Sequence, residues 1–418
     1  MTALAVHKTI SRPREPISQR EVDLVVKRND LYQAGKPGGQ RAVLSYRDLT
    51  GLDLAGRNLA DADLTAAYLC DANLTGANLN NAILFGCNLA RANLRGASLM
   101  RADLRGASLR EADLTGANLF DADLRDGHLA HKTRKGEIEY IAVDGNATEL
   151  VGATLVNANL TQARLSGSVA AHTDFTDAMM RNCKLVRADL HNATLNGANL
   201  EGADLSGANL RGASLRNAVM VRTLLVDVDT KDADMVGVLT LNEAGRPPEA
   251  PVIDMLRRHE AFIASDGAEG APVDVSGYDL RKAGALAGRR LSTLMATRAV
   301  LYGMNLEGIG LQAAQLEGAD LRACRMSNAD LRGINLTGAK LNHTEFRDCN
   351  FGPLIIAGGR SIPSTLDRAD ARNADFRGAN LHQARFRGTN LSRANLIGAQ
   401  LEGADFNGAN LLCVIKNP

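Results

Sequence analysis

Ala92-Asn93-Leu94-Arg95-Gly96, Ala97-Ser98-Leu99-Met100-Arg101 and Ala102-Asp103-Leu104-Arg105-Gly106 are consecutive, and together they define a unit of the form Ala-Asp/Asn-Leu-x-x. From Leu44 to Leu129 every fifth residue is leucine, eighteen in succession. Five residues on an α-helix advance about 500°, so these leucines would spiral round every side of it. A straight strand fails as well, because an odd spacing sends successive side chains to opposite faces. The leucines stay dry together only if the backbone turns after each unit, making every pentapeptide one side of a coil. The Leu then points inward, contributing roughly 1.5–3 kcal/mol when fully buried. The Ala two residues earlier fills a crowded corner, and the small polar residues suit turns.

Composition agrees. Forty glycines, no tryptophan and 4% aromatic residues in 418 positions suit a narrow aliphatic core better than a globular interior, where large rings supply much of the buried area. Formal charge is +1, from 48 basic and 47 acidic residues, so the whole chain is not a polycation built for nucleic acid. The N-terminal residues lack the apolar stretch of a secretory signal and no run approaches a spanning helix. A soluble, cytoplasmic protein is expected.

The A(D/N)Lxx units resemble the pentapeptide-repeat family. That resemblance implies an all-β fold, a right-handed, quadrilateral parallel β-helix; the number of sides comes from the family and not from the period.

Following the inward position reveals breaks. A second register runs from Leu150 to Met235, with exceptions at Ala170 and Thr230, and a third from Leu286 to Leu411, with lapses at Ala296, Ser361 and Ala371. Residues 131–149 between the first two registers read as a protruding loop or short hairpin. Residues 352–365, with Pro353 and Pro363, read as either a degenerate coil or an inserted loop. Val25–Tyr32 and Met255–Phe262 match in character at an offset of 230 and are amphipathic at helical spacing. Each is suited to cover the open end of a solenoid. With a Pro-rich linker at 242–251, these features predict two lobes with helical caps: an N-terminal arm and capping helix (1–43), a first lobe (44–240), a linker and second capping helix (241–274), and a second lobe (275–418). Phe386 and Phe406, twenty residues apart, are expected to stack, and Phe346 joins their column if 352–365 adds no net side.

Catalytic constellations are absent from this reading. Cys87, Cys183, Cys324 and Cys349 occupy the alanine slot as small fillers. Cys70 and Cys413 fall outside it, and none of the six has a Cys-x-x-Cys partner, so reduced thiols are expected. The pair His259-Glu260 lacks a second histidine four residues on, the aspartates mostly precede the central Leu, and Gly35–Gly39 lacks the ending of a phosphate loop. No cofactor or metal is expected, and no catalysis. The most localised charge is Arg257, Arg258, Arg281, Lys282, Arg289, Arg290 and Arg298, a candidate surface for an anionic partner; Lys132, Arg134 and Lys135 form a second basic group.

Three functions are therefore weighed. The first is a non-enzymatic scaffold or protein-interaction module whose partner the sequence does not identify. The second comes from the resemblance: some family members bind DNA gyrase by imitating DNA, which needs a strongly negative face, whereas arginines such as Arg91, Arg95, Arg101, Arg105 and Arg110 crowd the surface here. The third is a ligand-binding or enzymatic site in the breaks at 131–149, 236–280 or 352–365. The apolar tail Leu411–Ile415 either plugs the last coil or packs two C-termini into a homodimer.

Overall fold

In the computed structural model, residues 15–127, 129–132, 138–141, 147–240 and 251–417 are described. The chain divides into two compact units, Met1–Asn242 and Glu243–Pro418. Each is a coil of parallel single-residue bridges: Asp53 pairs with Asn73, Asn73 with Asn93, Asn93 with Asp113, twenty residues on wherever the repeat is uninterrupted; the first bridges of the second unit, Asp274 to Met295 and Asp279 to Val300, span twenty-one. A coil is therefore four pentapeptides. Leu54 N–H donates to the carbonyl of Asn73 at 2.7 Å, Gly56 N–H to Thr75 at 2.8 Å, and Asn73 N–H back to Leu52 at 3.0 Å, so the coils are knitted along every side and few backbone groups are left unpaired.

The corners explain the unit. Arg57 N–H donates to Leu54 O across each turn, and the second residue after the inward one has positive φ: 63° at Gly96, 57° at Arg91 and at Asp61. Positive φ at that position alone is the type II turn, which glycine adopts freely. Other residues pay roughly 1–2 kcal/mol there, and the solenoid meets this cost repeatedly through its inter-coil hydrogen bonds.

Leu44 through Leu124 are 0–1% exposed, as are the alanines of the slot two residues earlier. Where that slot holds a hydroxyl or thiol, the side chain finds a carbonyl, most often of the preceding coil: Thr173 Oγ1 donates to Leu150 at 2.6 Å, Thr344 Oγ1 to Leu321 at 2.8 Å, Cys324 Sγ to Leu301 at 3.0 Å and Cys349 Sγ to Met326 at 2.8 Å, whereas Ser168 Oγ uses Leu165 of its own coil at 2.8 Å. A small hydroxyl or thiol is tolerated in this dry corner because it has a partner.

Both breaks are inserted hairpins. Strands β3 (Leu129–Lys132) and β4 (Ile138–Ile141) pair antiparallel, and Glu149 takes the bridge to Ser108. Leu150 thus stacks on Leu109, and Leu129, expected as the last inward leucine of its register, instead opens the hairpin. Strands β5 (Leu354–Ile355) and β6 (Ser361–Ile362) pair likewise, while Asn335 bridges Thr365 and Asn350 bridges Asn380. The segment 352–365 is an inserted loop, and Ser361 is not an inward position at all; Ala296 and Ala371 are, and both are fully buried. The fifteen-residue step from Phe351 to Leu366 advances the coil by one side only. Phe346 therefore stacks on Phe376 (5.0 Å, 17°), not in the column of Phe386 and Phe406 (5.0 Å, 12°).

A helix lies at the start of each unit. Helix α1 (Gln19–Gln33) begins at a Ser18 capping box, with Glu21 N–H on Ser18 Oγ and Ser18 N–H on the Glu21 carboxylate. It turns Val22, Val26 and Asn29 inward. Asn29 Nδ2 donates to the carbonyls of Asn58 and Ala60, and its Oδ1 accepts from Ala42 N–H at 2.9 Å. Helix α2 (Val252–Ala264) buries Val252, Met255, Leu256 and His259. His259, 230 positions after Asn29, plays the matching part in the second cap. Its Nδ1 accepts from Val273 N–H at 3.2 Å, so Nε2 carries the proton it shares with Ser292 O at 2.8 Å. Beside α1, β1 (Glu15–Pro16) runs parallel to β2 (Arg47–Asp48). Most of the linker at 242–251 lies outside the described residues.

Candidate interaction surface

Each side of the coil presents three outward positions: the bridged residue and two at the turn. The bridged Asp or Asn usually accepts the N–H two residues on, as Asp113 does from Thr115 at 2.9 Å. In the triplet Asp-x-Arg the same carboxylate also receives a guanidinium fork. Arg322 reaches Asp320 through Nε at 2.8 Å and Nη2 at 2.6 Å; Arg332 does so with Asp330, Arg105 with Asp103 and Arg125 with Asp123. Other pairs span coils: Arg91–Asp71 at 2.7 Å, Arg95–Asp113 at 2.8 Å, Arg347–Asp375 at 2.6 Å. Burial alone would raise the Asp375 carboxyl, but hydrogen bonds from Arg377 and Arg347 outweigh it and hold the group at about 2. Arg105 also lies over the Phe85 ring, 5.3 Å from its centroid.

The seven basic residues singled out in the sequence do not form one uniform cluster. Arg257 pairs with Asp254 on its own helix, Arg281 forks onto Asp279, and Arg289 meets Glu260 of α2 at 3.0 Å. Arg258, Arg290 and Arg298 are exposed and make no ion pair among the described residues. They sit on the helix, at the start of one side and at a turn respectively, because residues eight apart in a pentapeptide coil fall on different sides. The side chain of Lys282 lies outside the described residues, as do those of Lys132, Arg134 and Lys135.

One basic surface escaped that reading. The outer ridge of α1 carries Arg20, Leu24, Lys27 and Arg28, all exposed. Its signal is local, at spacings of four, three and one within a helix, and is separate from the inward face that closes the coil.

Burial pushes the thiols of Cys87, Cys183 and Cys324 far up, and that of Cys349 up to about 12, leaving them protonated fillers. Among the described residues no group of three or more His, Cys, Asp or Glu is placed to hold a metal ion, and no helix is long and apolar enough to cross a membrane.

The trailing ends differ from the middle. Leu225, an inward position, is 41% exposed, with Leu224, Val226 and Val236 exposed around it. In the second unit the segment 411–415 continues as another side, Ile415 bridging Asn395, and does not fold back as a plug; Leu411, Leu412 and Ile415 are exposed.

A family model described as pentapeptide repeats (8 copies) matches residues 48–86, 87–126, 148–185, 183–222, 314–352, 364–393 and 374–411. Solved structures with similarity include HetL, a pentapeptide repeat protein involved in heterocyst differentiation regulation from Nostoc sp. strain PCC 7120. It is 31% identical over 51% of this chain and 95% of that one, with a TM-score of 0.24. Full-length QnrB1, a plasmid-mediated fluoroquinolone resistance protein, is 22% identical over 48% and 92%, with a TM-score of 0.26. A pentapeptide repeat protein from the thylakoid lumen of Arabidopsis thaliana is 23% identical over 41% and 70%, with a TM-score of 0.10. Comparison with curated proteins finds no match. The family model covers more than half of the sequence, and its repeats coincide with the bridged coils: the chain belongs to the pentapeptide-repeat family, whose members fold as right-handed β-helices.

Proposed function

We propose that this chain is a non-enzymatic scaffold, a protein-interaction module made of two four-sided lobes each begun by its own helical cap. The observation that carries the reading is the interior. Two unbroken columns of buried aliphatic and phenylalanine side chains occupy the axis of the coils, where a substrate would otherwise sit. Binding is left to the outward columns, which suits an extended partner. A cytoplasmic location and a homodimer through the C-terminal end belong to the same reading, as does an anionic-partner surface reduced to Arg258, Arg290 and Arg298.

The ion pairs favour this over DNA imitation. Arginines neutralise the carboxylates of Asp71, Asp103, Asp113 and Asp123, whereas a DNA-like face needs uncompensated negative charge. Affinity capture with the full chain tests the proposal. A stoichiometric protein partner, bound less tightly at high salt and by the Arg258→Gln, Arg290→Gln, Arg298→Gln variant, is the expected result. Inhibition of gyrase supercoiling with no other partner captured would transfer support to the second reading.

A further inference from the structure

The two cap helices are an internal experiment. Both cover a first coil with matching residues: Val22 and Val252, Val26 and Leu256, Asn29 and His259 face that coil and are buried. Both keep a basic pair on the outer side, Lys27-Arg28 and Arg257-Arg258. The outer ridges otherwise diverge. At the position of Leu24 the second helix has Asp254, which takes Arg257 into an ion pair at 3.2 Å.

On α1 nothing corresponds to that neutralisation. Glu21 is engaged with Ser18, and Asp23 with Gln19 and Arg57; Asp30, on the flank one turn beyond Lys27, makes no ion pair with it. Arg20, Lys27 and Arg28 are exposed and have no ion pair among the described residues, and Leu24 between them is 54% exposed. Capping does not use these residues, since the inward face is satisfied without them. A leucine held in water and ringed by three uncompensated cations matches a partner carrying carboxylates round an apolar side chain.

We propose that the outer ridge of α1, Arg20–Leu24–Lys27–Arg28, is a docking site for an acidic amphipathic segment of a protein partner. Leu24 supplies the apolar contact, and the three cations set orientation and pair with carboxylates, so binding weakens as salt rises. The inference rests on the chain being a binding module and names where one partner sits.

The test uses the full chain and a labelled helical peptide of about sixteen residues, made of Glu and Leu with the leucines on one face. A Glu/Ala peptide, an oligothymidylate and phosphatidylserine vesicles serve as comparisons. Saturable binding of the Glu/Leu peptide is expected, at least about tenfold weaker in the Leu24→Asp, Lys27→Gln, Arg28→Gln variant and unchanged when the exposed Arg101, away from both basic surfaces, is replaced (Arg101→Gln). The variant changes only exposed side chains, and an unchanged melting transition verifies its fold. Absence of saturable binding, equal binding by the variant, or tighter binding of the oligonucleotide or vesicles overturns the proposal. If affinity capture has meanwhile returned a partner, such a result removes only α1 as the site and leaves the scaffold reading in place.

Discussion

A single outward Asp in this solenoid has two duties: its carboxylate closes a local turn by accepting an N–H, then binds a guanidinium two residues away or one coil away. Asp375 takes this furthest, with Arg377 at 2.7 Å and Arg347 at 2.6 Å. Its carboxyl is held at about 2, below the roughly 3.9 of an unfolded aspartate. A group depressed on folding contributes stability that is fully present above its unfolded value and lost as pH falls through the folded one. The unfolding midpoint of Asp375→Asn is therefore expected to fall less between about pH 4 and pH 2 than that of the unmodified protein; parallel slopes would contradict the assignment. The thiols give a second check. Cys413 is exposed, Cys70 half-buried, and Cys87, Cys183, Cys324 and Cys349 buried. A thiol reagent is expected to label Cys413 at once and the last four only when denaturant unfolds the coils. The Asp-x-Arg forks went unread although both partners lie within three residues; pairs such as Arg347–Asp375 needed the coil to bring them together.

The helices and hairpins are the elements that interrupt the repeat, and each was legible to a different depth. Amphipathic spacing marked the middle of both cap helices, 25–32 and 255–262. The start of α1 was missed although the Ser18–Glu21 capping box marks it locally; what only the fold adds to that first turn is Gln19, whose Nε2 donates to Asp53 O at 2.8 Å and whose Oε1 accepts from Asp53 N–H at 2.9 Å. Asn29 is buried in that cap and bonds three backbone groups of the first coil. Asn29→Ala would leave Ala42 N–H and Asn58 O without their side-chain partner, while Ala60 O keeps Gln33 Nε2 at 2.9 Å, at a cost of about 2–3 kcal/mol. Urea unfolding should show that loss, while Leu24→Ala on the outer ridge should leave the midpoint within about 0.5 kcal/mol. Residues 131–149 were expected as a loop or short hairpin, whereas 352–365 stayed open between a degenerate coil and an inserted loop. A spacing kept in multiples of five cannot distinguish ten inserted residues from two more sides of a coil, and that ambiguity misplaced Phe346.

Repetition has a cost at the trailing coil of a unit, where, among the described residues, apolar side chains stay exposed to water. Leu412 is 66% exposed and Ile415 50% exposed at the end of the second unit. If the homodimer forms there, light scattering at rising concentration will approach the mass of two chains, and Leu412→Asp with Ile415→Asp will return it to one. A monomer at every concentration removes that part of the proposal. Sequence by itself determined the period, the inward column and the bend after each unit, because five-residue spacing leaves the backbone no other way to keep so many leucines out of water. Only the tertiary structure decided which residues stack across coils, where the inserts leave the register and which arginines are neutralised. Those depend on groups about twenty or more positions apart meeting within hydrogen-bonding distance, and no local pattern records such meetings.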